Sequence, residues 1–195
     1  AATGRYRDAT VVLGLPRGGV PVAAAVATSL GCPLDIVVVR KLGTPANREL
    51  AMGAIGSGGG MVLDEELITA LGIARNDVEA AIERETAELE RRESLYRGDR
   101  RPIDITDTHV VIVDDGIATG STIRAACQVA RAQGAARVVI AVPVAPDGWE
   151  QRMRDVADEL ICVSSPRRFG AIGAFYRDFR QTSDDEVTAL LATSR

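Results

Sequence analysis

Two adjacent carboxylates, Asp114 and Asp115, end the apolar run "VVIV", and the loop behind them holds Gly116, Ala118, Thr119, Gly120, Ser121 and Thr122. The glycines permit a tight loop and the hydroxyls donate hydrogen bonds. A helix starting near Gly120 would add free backbone amides, so the loop reads as an anion nest. Carboxylates repel phosphate. Acids and nest serve one ligand only if it carries hydroxyls or a metal at one end and a phosphate at the other. A ribose 5-phosphate has that polarity. A nucleotide-triphosphate loop is a poor match, because the glycine spacing is one residue short and the lysine is missing. Solvated aspartates before a plain turn would leave the hydroxyl cluster unexplained.

Two further stretches carry cations. In "LPRGG", Gly18 and Gly19 let backbone approach a ligand closely, and Arg17 offers a planar fork that matches phosphate oxygens. A simple strand-to-helix turn explains the glycines equally well. In "RKLGTPANREL", Arg40, Lys41 and Arg48 concentrate positive charge on a Gly/Pro/Asn-rich stretch that reads as a mobile lid. Solvated surface charge is the competing reading. Taken together, the three stretches describe a site for a sugar with phosphates at both ends.

The elements that must position these residues are legible as runs. Residues 10–15, 35–40, 109–115 and 137–144 are nearly continuous β-branched segments, with a weaker one at 159–165. Continuous rather than alternating hydrophobicity fits strands covered on both faces. Helix-like segments at 19–30, 121–133 and 147–157 fall between them, which predicts βαβ units. The expected fold is α/β, a doubly wound and mainly parallel sheet within a single domain over 1–195. Ligands in such sheets bind beyond the strands' carboxyl ends, where all three loops would lie.

Residues 64–98 interrupt the rhythm. Asn76 with Glu79 suggests a helix cap. Glu88 with Arg92 and Glu93 with Arg97 form i,i+4 pairs on a surface expected to be solvated. Val78, Ile82 and Leu89 would face the sheet or a partner chain. "GSGGG" at 56–60 reads as a hairpin turn.

The 195 residues are 46% hydrophobic and carry a net charge of -4, ordinary for one globular domain. The acidic balance argues against a dedicated nucleic-acid binder. No run approaches the length of a membrane span, and no secretory leader is visible. Cys32, Cys127 and Cys162 sit among apolar neighbours without metal-ligand spacing, which suggests buried reduced thiols in a cytoplasmic protein. The one histidine, His109, opens a strand and gets no catalytic role. The chain begins at Ala1 without methionine, as a processed chain or a piece of a longer protein would.

"VIVDDGIATGST" resembles the phosphoribosyl-pyrophosphate signature of type I phosphoribosyltransferases. "LPRGG" is similar to that superfamily's pyrophosphate loop, and "RKLGTP" falls where its flexible catalytic loop lies. The likeness is greatest to a bacterial group of undefined substrate and extends through "ERRESLYRG", "VVIAVPVAP" and "FGAIGAFYRDFRQTSDDEV". Members of that group usually begin with a further helix before the first strand, and some carry a hydrolase-like domain downstream.

The resemblance implies that Asp114 and Asp115 bind the ribose 2- and 3-hydroxyls and that residues 116–122 cradle the 5-phosphate. Arg17, Gly18 and Gly19 would meet the pyrophosphate, with Arg40 and Lys41 closing over the leaving group. Mg2+ would be held mainly by ligand oxygens, with no dedicated protein cage and Asp114 and Asp115 as its nearest side chains. A hood over 164–180 would choose the acceptor, with Ser164, Phe169, Phe175 and Tyr176 its candidate residues. The implied reaction transfers a 5-phosphoribosyl group from phosphoribosyl pyrophosphate to a nitrogenous, nucleobase-like acceptor, as in nucleotide metabolism. It implies a homodimer, with neither nucleic acid nor membrane as partner. The alternative is a non-catalytic domain that senses phosphoribosyl pyrophosphate.

Overall fold

A computed structural model describes residues 10–193. The ends of the domain expected over 1–195, residues 1–9 and 194–195, lie outside the described residues. Five parallel strands form the main sheet: β1 (Thr10–Gly14), β2 (Leu34–Ile36), β6 (His109–Val113), β7 (Arg137–Val144) and β8 (Glu159–Ser164). Their order across the sheet is β2-β1-β6-β7-β8, and every neighbouring pair is parallel. Helix α1 (Gly19–Leu30) crosses from β1 to β2, and α4 (Ser121–Ala132) from β6 to β7. The chain leaves β1 in one direction and β6 in the other, so the topological switch point falls between these two strands.

Each face of the sheet has its own core. On one side α1 packs with α3 (Arg75–Arg97) and α5 (Asp184–Thr193) through Val12, Leu34, Val111, Leu89, Val187 and Leu191. On the other, α4 packs through Ile123, Cys127 and Val129 onto Ile112 and Ile140, with Trp149 and Met153 closing the edge. The central strands are buried along nearly their whole length, as the continuous apolar runs predicted. The apolar side of α3 is as expected, with Val78 and Leu89 in the core and Ile82 packed against it.

The run at 35–40 divides. Val37 still donates to Gly14 O (3.1 Å), but the Val38 amide donates to Ser57 Oγ (2.8 Å), and the chain turns out of the main sheet. Residues Val39–Gly43 form β3, which pairs antiparallel with β4 (Ala51–Gly56), and β4 with β5 (Gly60–Leu63). "GSGGG" makes the tight β4–β5 turn with Gly58 and Gly59 at positive φ. This second sheet sits against both α3 and α4. Arg40 and Lys41 therefore lie on a strand, and only Thr44–Leu50 form the connecting turn. That turn closes on itself through Thr44 N to Leu50 O and Leu50 N to Asn47 O.

Three other expectations change. The 147–157 segment forms turns with one short 3-10 stretch at Glu150–Arg152. Gly148 has φ +76°, and the Arg152 carbonyl that a helix would use accepts from Arg124 Nη1 (2.7 Å). The edge strand β8 keeps one open face, where Val163 is 85% exposed, while Cys162, on the face toward Trp149 and Met153, is only partly buried. The long helix starts at Arg75, with extended Ala74 as its cap. Asn76 lies inside it, and Asp64 instead caps the short helix α2 (Glu65–Ala70). Finally, Arg97 is buried. It donates to Asp35 Oδ1 (2.9 Å) and Ile36 O (2.7 Å) besides pairing with Glu93, while Asp35 Oδ2 accepts from Ile103 N (2.9 Å).

Candidate functional site

The two loops whose composition suggested chemistry meet at the switch point. The β1 loop carries Arg17, Gly18 and Gly19 and enters α1, and its Pro16–Arg17 peptide is cis. The β6 loop carries Asp114 to Gly120 and enters α4. The glycines of the β1 loop are explained by its contact with the β6 loop. A Cβ on Gly18 would overlap the Asp115 carboxylate, and one on Gly19 would lie 2.7 Å from Val113 O. The sequence reading assigned this closeness to a ligand, whereas the structure spends it on seating the basic loop against the acids.

Asp114 is partly buried at the end of β6, and its Oδ1 accepts the Asp115 amide at 2.9 Å. Burial first, and the neighbouring Asp115 charge second, push its carboxyl up to about 7. Burial also raises Asp115. The Asp115 amide offsets only part of this cost, and neither acid makes an ion pair among the described residues, so a ligand offering hydroxyls or a cation would stabilise their charge further. Among the described residues no three His, Cys, Asp or Glu side chains converge as a metal cage. Two hard carboxylate donors at a ligand site do fit Mg2+, provided the ligand gives most of the oxygens.

Behind the acids, residues 114–123 and Ile172 line a recess of about 170 Å³. Helix α4 starts at Gly120 with φ +82° and has no capping side chain there, and the Ser121 amide has only a 3.5 Å bond to Thr119 Oγ1, so the helix start is open to an anion in this recess. Thr119 Oγ1 and Ser121 Oγ lie 3.2 Å apart. Lys41 Nζ donates to Ser121 Oγ at 2.8 Å, placing a cation beside the nest. Its neighbour Arg40 points elsewhere, as alternation along a strand requires, and binds Glu85 of α3 at 2.7 Å. The structure thus brings Lys41 to the β6 loop, while Arg40 is held on α3.

On the other side of Asp115 opens a larger cleft of about 700 Å³, lined by Arg17, Gly18, Asp115, Tyr176, Phe179, Arg180 and Glu186 among others. The Tyr176 hydroxyl donates to Asp115 O at 2.6 Å and tethers the hood to the acid pair. Its ring packs on Phe179 (centroids 5.1 Å apart), and Phe169 stacks on Phe175 (5.7 Å). The hood aromatics therefore have one another as partners, and Ser164 is exposed at the end of β8. Sequence reasoning passed over Ile172, Arg180, Asp184 and Glu186. The signal for the last two was the S-x-x-E pattern at Ser183–Glu186, which marks the start of α5 and so brings it to this edge.

A family model described as "Phosphoribosyl transferase domain" matches residues 2–180. Two proteins from strains of Mycobacterium tuberculosis, each named "Putative phosphoribosyl transferase", are 52% identical over 183 residues. Those alignments cover 94% of this chain and 41% of each relative, so the chain spans less than half the length of the relatives it matches. The crystal structure of TT1426 from Thermus thermophilus is similar at a TM-score of 0.86 and 43% identity, over 94% of this chain and 87% of that one. No helix among the described residues is long and apolar enough to cross a membrane. With the diacid strand end and its nest at the switch point, and a family match over most of its length, this chain belongs to the phosphoribosyl transferase domain family, as a type I member of undefined substrate.

Proposed function

We propose that the chain is an enzyme that transfers a 5-phosphoribosyl group from phosphoribosyl pyrophosphate to a nitrogenous, nucleobase-like acceptor, releasing pyrophosphate. The observation that carries this reading is the seating of Gly18 against Asp115. It sets a basic loop against the two acids, which the loop at the start of α4 follows, and this supports reading the three as the pyrophosphate, ribose-hydroxyl and 5-phosphate ends of one ligand.

In this reading residues 116–122 hold the 5-phosphate through backbone amides and the Thr119, Ser121 and Thr122 hydroxyls, with Lys41 adding charge beside Ser121. Asp114 and Asp115 accept the ribose hydroxyls. Departure of pyrophosphate leaves positive charge on the ring, which the acids favour, and Arg17 with the Gly18–Gly19 backbone holds the leaving anion. Mg2+, when bound, supplies Lewis-acid neutralisation of the phosphate oxygens, with Asp114 and Asp115 the side chains placed to hold it. The position of Lys41 supports a role at the 5-phosphate end. Arg40 serves the leaving group only after release from Glu85, and until then it holds β3 on α3.

The acceptor enters under the hood. Tyr176 fixes the hood to Asp115, and Phe179 offers the ring closest to that tether. Pyrophosphate release, measured with phosphoribosyl pyrophosphate, Mg2+ and a panel of nitrogen heterocycles, tests the assignment. Release with at least one acceptor supports it, whereas tight binding without release for any acceptor favours the sensor.

A further inference from the structure

Helix α5 puts a carboxylate beside Arg17. Asp184 Oδ1 lies 3.7 Å from Arg17 Nη1, the one ion pair that Arg17 makes among the described residues. Asp184 is the first residue of α5, and that helix start is closed in both directions. The Glu186 amide donates to Ser183 Oγ (3.1 Å), and the Ser183 amide to Glu186 Oε2 (2.9 Å). Arg180 then binds Glu186 Oε1 at 2.6 Å. From the other side Tyr96, only 6% exposed near the end of α3, lies close enough to Asp184 to feel its charge. Val187 and Leu191 anchor the rest of α5 in the core.

Arg17, by contrast, is a long side chain on a loop at the mouth of the 700 Å³ cleft, and free it would sample many rotamers. A guanidinium has five donors in a rigid fork. A carboxylate on one edge leaves the other donors facing the cleft, where Gly18 and Asp115 stand. We infer that Asp184, at the start of a helix anchored in the core, is a positioning residue that aims Arg17 at the pyrophosphate. Asp184 thereby acts on the site through Arg17 rather than through a contact of its own with the ligand. This inference rests on the reading of Arg17 as the pyrophosphate-binding cation.

The test is a double-mutant cycle read by calorimetry, with inorganic pyrophosphate and Mg2+ as the probe. Arg17→Ala is expected to weaken binding at least about tenfold and Asp184→Asn about threefold. The double variant should bind no more weakly than Arg17→Ala. Additive losses, or tighter binding by Asp184→Asn, would overturn the inference, the second by making Asp184 a competitor of the ligand. A ligand-free readout separates it from the underlying assignment. The Arg17 Nε–H resonance should shift and broaden in Asp184→Asn. An unmoved resonance refutes the positioning role even where Arg17→Ala abolishes binding. If Arg17→Ala binds like the parent chain, the pyrophosphate assignment fails and the positioning role falls with it.

Discussion

Asp114→Asn should make the free protein more stable at alkaline pH while weakening its site. The Asp114 carboxyl moves from 3.8 to about 7 on folding, which penalises its ionised form by about 4 kcal/mol. Because the folded pKa is raised, the folded chain holds a proton that the unfolded chain has released. The stability this contributes is complete below about pH 4 and is lost as pH rises through about 7. Between about pH 5 and about pH 8.5 the parent chain should lose about 2–3 kcal/mol through this one group. The amide keeps the oxygen that accepts the Asp115 amide and cannot ionise, so the variant escapes that loss. Urea unfolding of both chains at the two pH values measures the difference. The variant's stability relative to the parent should rise by about 2–3 kcal/mol across the interval. Parallel pH dependence in the two chains would refute the reasoning, because Asp114 would then be ionised in the fold at no cost. A carboxylate held at such cost is a candidate for function, since strain of this kind persists where a site needs it.

Gly18→Ala drives a methyl into the Asp115 carboxylate, and calorimetry should find affinity for phosphoribosyl pyrophosphate reduced at least about tenfold. Asp35→Ala removes the buried partner of Arg97 and the acceptor of the Ile103 amide. Urea unfolding should show a loss of about 3–5 kcal/mol, far more than for exposed pairs such as Arg75–Glu79. Tyr176→Phe leaves the ring on Phe179 and deletes the bond to Asp115 O, so it should cost about 1 kcal/mol of stability by thermal unfolding and raise the KM for the acceptor.

What could be read from the sequence followed from local rules. Continuous apolar runs marked the central strands because burial on both faces demands them, and the β6 loop was legible because its neighbours in space are its neighbours in sequence. The rest depended on contacts between distant residues. The division of the 35–40 run rests on Ser57 taking the Val38 amide. The loss of the 147–157 helix rests on Arg124 taking the Arg152 carbonyl. Composition grouped Arg40 and Lys41 as lid cations, but strand alternation sends one to Glu85 and the other to Ser121. Arg97 looked like a surface residue by spacing, and only the approach of α3 to β2 buries it on Asp35. The aromatic hood was found by composition, while its tether to Asp115 needed the fold.

The central claim is that Asp114 and Asp115 grip a ribose whose phosphates lie on either side of them. Calorimetry of phosphoribosyl pyrophosphate with Mg2+ on the parent chain and on the Asp114→Asn, Asp115→Asn double variant tests it most directly. The parent should bind, and the double variant should lose about a hundredfold in affinity while inorganic phosphate still competes at the 116–122 loop. A parent chain that fails to bind, or a double variant that binds as well as the parent, would contradict the account.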